Sequence, residues 1–535
     1  MVTPKTFIII LFALLIAFNL ILKTNVIGFQ SWDLDHFMYS GQRLLKGDLL
    51  WTVEYDDKLL ITQFFFILPA LYESEFVWVL LSTVFIIFGA WACFNLVDNV
   101  ISNSPSVHFA ERKYLASIAA ILMVFLFLFL PGGIYQVNAV SASCSVISLA
   151  LIVRSLPSKK ETLKIMPFFI SAISASISIG IRPYFLLSII IGASLLIINR
   201  SKSLFGRDGA FNIIFLWIFI IGIFGVLVNV VPYIIIGDLN AFYAGMFMMF
   251  HDLNLQTLSY MIKNMVSTIY HQTPFIILLF IISFVSIIYA LYSSVQFNEK
   301  SLKRHILNEI IILIFILPTL LLVLIFSRHF WAHYIQLFAP FLAMSVSFFF
   351  LLLKQRFHNQ LSKIRSKTIW VLTIIFVIIF LPPVIINDFS NSNQTEYPKL
   401  NNNHSMNKDV NQVATIVSMQ PKDQSDFLFL NDMRSHWMLD EPRHGFPNAA
   451  HSNHILGGLW QRSELTVPSH FDHPINFEEY CIMLEKKGPT LIFIKGQLNF
   501  QTSCLQKSSF YRFEKKLSTN TYFHKSKNVS LFLRN

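Results

Sequence analysis

Two aspartates one residue apart, Asp33 and Asp35, open an acidic stretch that reads SWDLDHFMY from Ser31 to Tyr39 and WTVEYDDK from Trp51 to Lys58. Between residues 29 and 75, eight acids stand against three bases, whereas most other segments between apolar blocks are basic. Such a carboxylate pair has two chemical uses. Its oxygens can chelate a divalent cation, or one carboxylate can act as a base while the other orients it. A solvated acidic loop is the plain alternative. Further along stand single cations with aromatic neighbours: Lys58 at the head of KLLITQFFFILPALY, Arg182 between SIGI and PYF, and Arg328, His333 and Tyr334 within SRHFWAHY. A guanidinium can hold a phosphate or carboxylate bidentately, and cations in apolar surroundings usually have a partner. Lys58 is either an ammonium that meets a lipid phosphate or an anchor reaching to the interface. Arg182 is a phosphate or carboxylate ligand, or half of a structural pair. The SRHFWAHY cluster is an anion holder or an aromatic-belt anchor.

What must position these residues is a membrane architecture. The chain has 54% hydrophobic residues, 54 Phe, only 13% charged residues and a mean hydropathy of +0.58, which leaves too little charge to cover a soluble globule of 535 residues. A crossing helix needs about 20 mostly apolar residues. Eleven blocks approach that length: 6–22, 76–97, 114–131, 138–153, 165–181, 184–199, 211–236, 274–295, 309–326, 331–353 and 368–387. Arg182-Pro183 separates two short blocks, read as two spans with a tight outer turn or as one kinked, re-entrant element. The run after Lys58 is too short for a comfortable crossing and fits a helix lying along the outer interface. With the N terminus cytoplasmic, eighteen Lys and Arg fall on the inner side and seven on the outer side before residue 388. That bias predicts a multi-pass protein of the inner (plasma) membrane, with the acidic first loop and the C-terminal tail extracytoplasmic. The net charge of +11 is absorbed by this topology, so no nucleic-acid partner is implied.

Composition changes near residue 388, dividing the chain into a membrane domain (1–388), a polar linker (389–407) and a small extracytoplasmic α/β domain (408–535). The tail has strand-like runs at Asp426 to Asn431, Thr490 to Lys495 and Val529 to Arg534, between helical candidates at 408–420 and 475–487. It carries no phosphate-cradling glycine loop, no CxxC and no nucleophile elbow, which points to support or acceptor recognition. Cys481 and Cys504 both fall in this tail and could pair in an oxidising compartment.

In feature order the chain resembles the GT-C superfamily of polyprenyl-phosphate-sugar-dependent glycosyltransferases, especially bacterial family-39-like members related to protein O-mannosyltransferases and lipid A aminoarabinose transferases. The matching residues are Asp35 with Tyr39, the Leu44-Leu45-Lys46-Gly47 turn, Lys58 opening an interfacial helix, Arg182-Pro183, and His333-Tyr334-x-Gln336-Leu337-x-x-Pro340. The chain departs from the family pattern at Asp35-His36, at Lys58-Leu59-Leu60 and at Gln136-Val137-Asn138, where no carboxylate stands. Those departures leave sugar, acceptor and metal dependence open. The resemblance implies an α-helical polytopic membrane protein of about eleven transmembrane helices with a GT-C-like fold. It implies Asp35 as first candidate for catalytic base and Asp33 as second. Lys58, Arg182, Arg328 and His333 would hold the donor phosphate, and Tyr39 and Tyr334 would complete the site. The implied partners are a polyprenyl-phosphate sugar, an acceptor and the lipid bilayer. A divalent cation on Asp33 and Asp35 is the one cofactor these residues would allow. An envelope polysaccharide polymerase or ligase, or a lipid-linked saccharide transporter, is the alternative for a chain with many spans and outward arginines.

Overall fold

Where the apolar blocks fall within described residues they are helical, as hydrocarbon requires of any segment that must satisfy its own backbone. The computed structural model describes residues 32–45, 58–72, 74–101, 109–130, 136–156, 162–251, 258–272, 274–296, 315–326, 332–356, 427–430, 467–468, 474–475, 491–495, 509–518 and 528–535, and Gly47, Leu49, Trp51 and Ile310. The apolar blocks at 6–22 and 368–387, the linker and both cysteines of the tail lie outside them. Four described helices are long and apolar enough to cross a membrane: Phe76–Ile101, Val137–Ser155, Gly209–Ile236 and His333–Leu351. Four more apolar helices, Ile165–Ile181, Pro183–Ile198, Ile276–Tyr289 and Ile316–Ile325, are shorter.

The chain divides into two compact units. The first comprises Met1–Leu22, Val79–Val226 and Asn254–Asn391. Its described helices are α4 (Glu75–Ile101, from Val79 on), α5 (Phe109–Phe129), α6 (Val137–Ser155), α7 (Ile165–Ile181), α8 (Leu186–Asn229, up to Val226), α11 (Leu258–Gln272), α12 (Pro274–Gln296), α13 (Ile316–Phe326) and α14 (Ala339–Arg356). Short 3-10 turns, Pro183–Phe185 and Ala332–Phe338, lead into α8 and α14. Helix contacts here use small polar groups as well as apolar packing, as expected where lipid removes the hydrophobic drive for association. Ser347 Oγ donates to the Leu115 carbonyl at 2.9 Å, tying α14 to α5. Ser283 and Ser345 share a hydrogen bond at 2.5 Å between α12 and α14, and Ser188 and Thr319 one of the same length between α8 and α13. Phe315 and Phe341 stack at 4.2 Å in the interior. At the junction of α4 and α5, Asp98 accepts from Arg112 at 2.7 Å and Lys113 at 2.6 Å, so two of the predicted inner bases are paired.

The second unit comprises Lys23–Trp78, Leu227–Leu253 and Ser392–Asn535. It holds α1 (Trp32–Leu45), α2 (Leu60–Phe65), α3 (Ile67–Leu71), α9 (Val231–Ile236) and α10 (Leu239–His251). Gly41 lets α1 approach the turn between α2 and α3 closely: a Cβ there would sit 2.4 Å from the Phe66 carbonyl oxygen. Phe66 in turn lies between Phe37 at 5.0 Å and Trp78 at 4.3 Å. The Asn229 carboxamide accepts from the Ile61 backbone at 2.9 Å.

The tail forms a four-stranded sheet in the order β1 (Phe427–Leu430), β4 (Leu491–Lys495), β6 (Asn528–Arg534), β5 (Tyr511–Ser518), with β1 parallel to β4 and the other pairs antiparallel. A second, two-stranded ladder joins β2 (Val467–Pro468) and β3 (Pro474–Ile475). All three predicted strands are present. β5, YRFEKKLS, is not legible in the sequence because its lysines mask the alternation; among the described strands it lies on the sheet edge, where charge blunts further pairing.

Two expectations change. The first acidic segment is not all loop: residues 32–45 form α1, which puts Asp33 and Asp35 in a helix's first turns. The expected turn between the blocks 184–199 and 211–236 is absent, and α8 runs unbroken for 44 residues. Its middle, NRSKSLFGRDG, is polar but contains no proline, and polarity alone does not end a helix.

Candidate functional site

α6 and α7 pack as an antiparallel pair whose seam is a ladder of serines. Ser171 Oγ donates to the Ser148 carbonyl at 2.7 Å. One step nearer the end of the pair, Ser141 and Ser178 each donate to the other's carbonyl at 2.8 Å. Seven residues separate the two serines on each helix, two turns, so both rungs fall on one stripe. Trp217 Nε1 of α8 donates to Ser171 Oγ at 3.1 Å and pins the lower rung from a third helix.

The next step of the same register brings Asn138, at the start of α6, to Arg182, just beyond α7. Pro183 bars Arg182 from helical conformation, and it takes an extended one, φ −139° and ψ 97°. Its N–H caps α7 by donating to the Ser178 carbonyl at 2.9 Å, and its carbonyl accepts from Phe185 at 3.1 Å. The side chain is 4% exposed. Its Nε donates to Asn138 Oδ1 at 2.5 Å, and Cζ lies 5.5 Å from the centroid of the Tyr334 ring. Asn138, fully buried, spends its Nδ2 on the His333 carbonyl at 3.0 Å. Tyr334 is also met edge-on by Tyr184 at 5.8 Å and by His333 at 4.9 Å. Gln136 and Gln336, next to these residues in sequence, are buried as well.

Three predicted site residues, Arg182, His333 and Tyr334, therefore meet in the first unit. His333 contributes its carbonyl as well as a half-buried ring. Asn138, read in sequence as the place where a family carboxylate is missing, is the group that joins them. Lys58 belongs to the second unit, where it is 8% exposed and its ammonium lies 4.8 Å from the Phe37 ring centroid. It is buried against α1 rather than displayed on an open surface. Asp33, Asp35 and Tyr39 all lie on α1, and only their backbone is described. On a helix, positions four apart share a face, as 35 and 39 do, whereas positions two apart do not. Arg328 lies outside the described residues. Among the described residues no three His, Cys, Asp or Glu side chains gather as metal ligands would.

No protein-family model matches the chain, and no curated protein matches it. Solved structures do. The crystal structure of the Archaeoglobus fulgidus oligosaccharyltransferase tethered through a disulfide to an acceptor peptide containing the NVT sequon aligns with a TM-score of 0.51 at 12% identity. The alignment covers 92% of this chain and 69% of that one. Its apo form aligns at 0.50 and 11% identity, over 92% and 70% of the two chains. The chain shares the fold of this oligosaccharyltransferase. Within this fold the buried arginine, amide and tyrosine form a built polar site among otherwise apolar helices. A guanidinium so fixed can hold an oxyanion with little reorganisation.

Proposed function

We propose that this GT-C chain is an integral-membrane inverting glycosyltransferase, family-39-like, that moves a sugar from a polyprenyl-phosphate donor to an extracytoplasmic glycolipid, polysaccharide or protein. The observation that carries this reading is Arg182, a buried guanidinium oriented by Asn138 and Tyr334 in a fold shared with an oligosaccharyltransferase. In this reading Asp35, with Asp33 as second candidate, removes the proton of an acceptor hydroxyl. The oxygen attacks the anomeric carbon from the face opposite the phosphate, the bond from that carbon to the phosphate oxygen breaks, and its electron pair departs on polyprenyl phosphate. Inversion results. Arg182 receives the charge that grows on the leaving oxygen, with Arg328, Lys58 and His333 as further cations for that task, and Tyr39 and Tyr334 flank the reacting groups. A positioned base contributes about 10²- to 10⁴-fold, and fixed donors at the leaving group a comparable factor. The site works on the outer side of the inner membrane, and the tail domain serves acceptor recognition or support.

The test is transfer in reconstituted bilayers, using labelled polyprenyl-phosphate sugars and a mixed acceptor pool. Label is expected to reach an acceptor while polyprenyl phosphate is released, and Asp35→Asn is expected to lower kcat about 10²-fold or more. Movement of the intact lipid-linked sugar across the bilayer without transfer would replace this reading by a transporter.

A further inference from the structure

We infer that the end of the first unit opposite Arg182 carries a docking groove for an anionic glycerophospholipid, with Arg154 at its phosphate and the exposed stripe of α4 along an acyl chain. The inference stands apart from the proposed donor chemistry, because Asn138 opens α6 and Arg154 closes it, about 24 Å away along the axis. Leu80, Val84, Ile87, Phe88 and Trp91 are each 39–56% exposed. Their spacing of i, i+4, i+7, i+8 and i+11 places them on one stripe of α4. That stretch of helix rises about 16 Å, close to half of a hydrocarbon core about 30 Å thick, so the stripe matches the acyl depth of one leaflet.

The stripe turns polar where such a leaflet would end. Asn95 and Asp98 continue it, and the Asn95 carboxamide donates to the Trp91 carbonyl at 2.7 Å. Among the described residues, three cations reach it from neighbouring helices. Arg154 of α6 is exposed and sets its guanidinium over the Trp91 indole, with Cζ 5.8 Å from the ring centroid. Lys113 of α5 lies over Phe94 at 5.2 Å, and both Lys113 and Arg112 hold Asp98. Trp91 and Asp98 are two turns apart, about 10 Å, a depth comparable with one headgroup layer. Asp98 is thus engaged twice, so no bare carboxylate faces an incoming phosphate. Among the described residues the Arg154 guanidinium meets the indole and no carboxylate, and it still presents N–H groups to an oxyanion. An aromatic-belt anchor would account for Trp91 alone; it does not account for a guanidinium placed over that ring at the foot of a leaflet-long apolar stripe.

The test uses the full-length protein in phosphatidylcholine vesicles that carry increasing amounts of brominated phosphatidylglycerol. Quenching of Trp91 is read as the difference between proteins with and without Trp91→Phe, at equal thermal midpoint. Brominated phosphatidylglycerol is expected to quench Trp91 about fivefold more effectively than brominated phosphatidylcholine, the preference that one fixed cation beside an anionic headgroup supplies. Arg154→Gln should abolish that preference, and Arg154→Lys, which keeps the charge, should retain most of it. Soluble glycerol phosphate should leave the quenching unchanged. Equal quenching by the two lipids in the wild type, or a preference that survives Arg154→Gln, overturns the groove. Displacement of phosphatidylglycerol by soluble glycerol phosphate, or preferentially by polyprenyl phosphate, overturns the phospholipid in favour of a free anion or of the donor lipid.

Discussion

Replacing Arg182 by lysine would keep a positive charge and lose the planar fork, the stacking on Tyr334 and the Nε contact to Asn138. The expected outcome is a loss of about tenfold or more in kcat/KM for the lipid donor, about 1.4 kcal/mol of transition-state stabilisation, read by initial rates. Tyr334 offers a milder test. Tyr334→Phe keeps a ring for the guanidinium and should bind donor within about twofold, whereas Tyr334→Leu should forfeit about 0.5–2 kcal/mol of cation–π attraction. The two first-helix aspartates can be told apart by what each substitution changes. Acids in a helix's first turns are favourable by about 0.3–1 kcal/mol whatever else they do. Either Asp→Asn change is therefore expected to shift thermal stability only slightly, with kcat intact for Asp33→Asn and lowered about 10²-fold or more for Asp35→Asn. Sequence exposed much of this at single positions. A lone arginine before proline and a histidine–tyrosine pair at the head of an apolar block are visible as oddities. Their meeting with Asn138 was not, because an amide's partners lie 44 and 195 residues away and leave no local trace.

At the scale of elements, the α6–α7 seam shows why serine is used so freely inside apolar helices. Ser141, Ser171 and Ser178 each return a hydrogen bond to a facing carbonyl, and each side chain is small enough for the backbones to come close. Ser141→Ala or Ser178→Ala should cost about 0.5–1.5 kcal/mol apiece. Ser178→Leu should cost more, about 1–3 kcal/mol through overpacking, and should weaken donor binding by moving Arg182; thermal melts and polyprenyl-phosphate binding would check both. A similar argument holds where α1 meets the Phe66 turn. Gly41→Ala would press a methyl onto a carbonyl oxygen that cannot swing aside, with about 1–3 kcal/mol of destabilisation expected in the same melts. The existence of the long apolar helices followed directly from composition. The seam did not, since a serine every three or four residues reads as tolerated polarity until the facing helix is known. α1 was hidden for the opposite reason, its acids suggesting a solvated loop when they also suit a helix start.

For the molecule as a whole, burial separates the helices that build the interior from those that meet lipid. The apolar windows within Val137–Ser155 and His333–Leu351 are 83% and 89% buried, while that within Gly209–Ile236 is only 17% buried. Phe215 and Phe219 stand 73% and 54% exposed on that outward stretch. Phe215→Lys should therefore penalise membrane insertion by about 2.5–3.5 kcal/mol, measurable as a reduced inserted fraction, whereas Phe215→Leu should be silent. In the tail, Phe532 is 1% exposed, and Phe532→Ala should cost about 3–5 kcal/mol locally, seen as faster proteolysis of the full-length protein near the sheet. Composition announced a membrane chain and three of the tail's strands, but could not reveal that one helix continues where charge seemed to demand a turn. The tie between Asn138 and His333 carries one last implication, for biogenesis. The carbonyl that steadies the arginine's partner is synthesised 195 residues after that partner, so a chain emerging from the ribosome cannot complete the contact that holds Asn138 against Arg182 until its late helices are inserted.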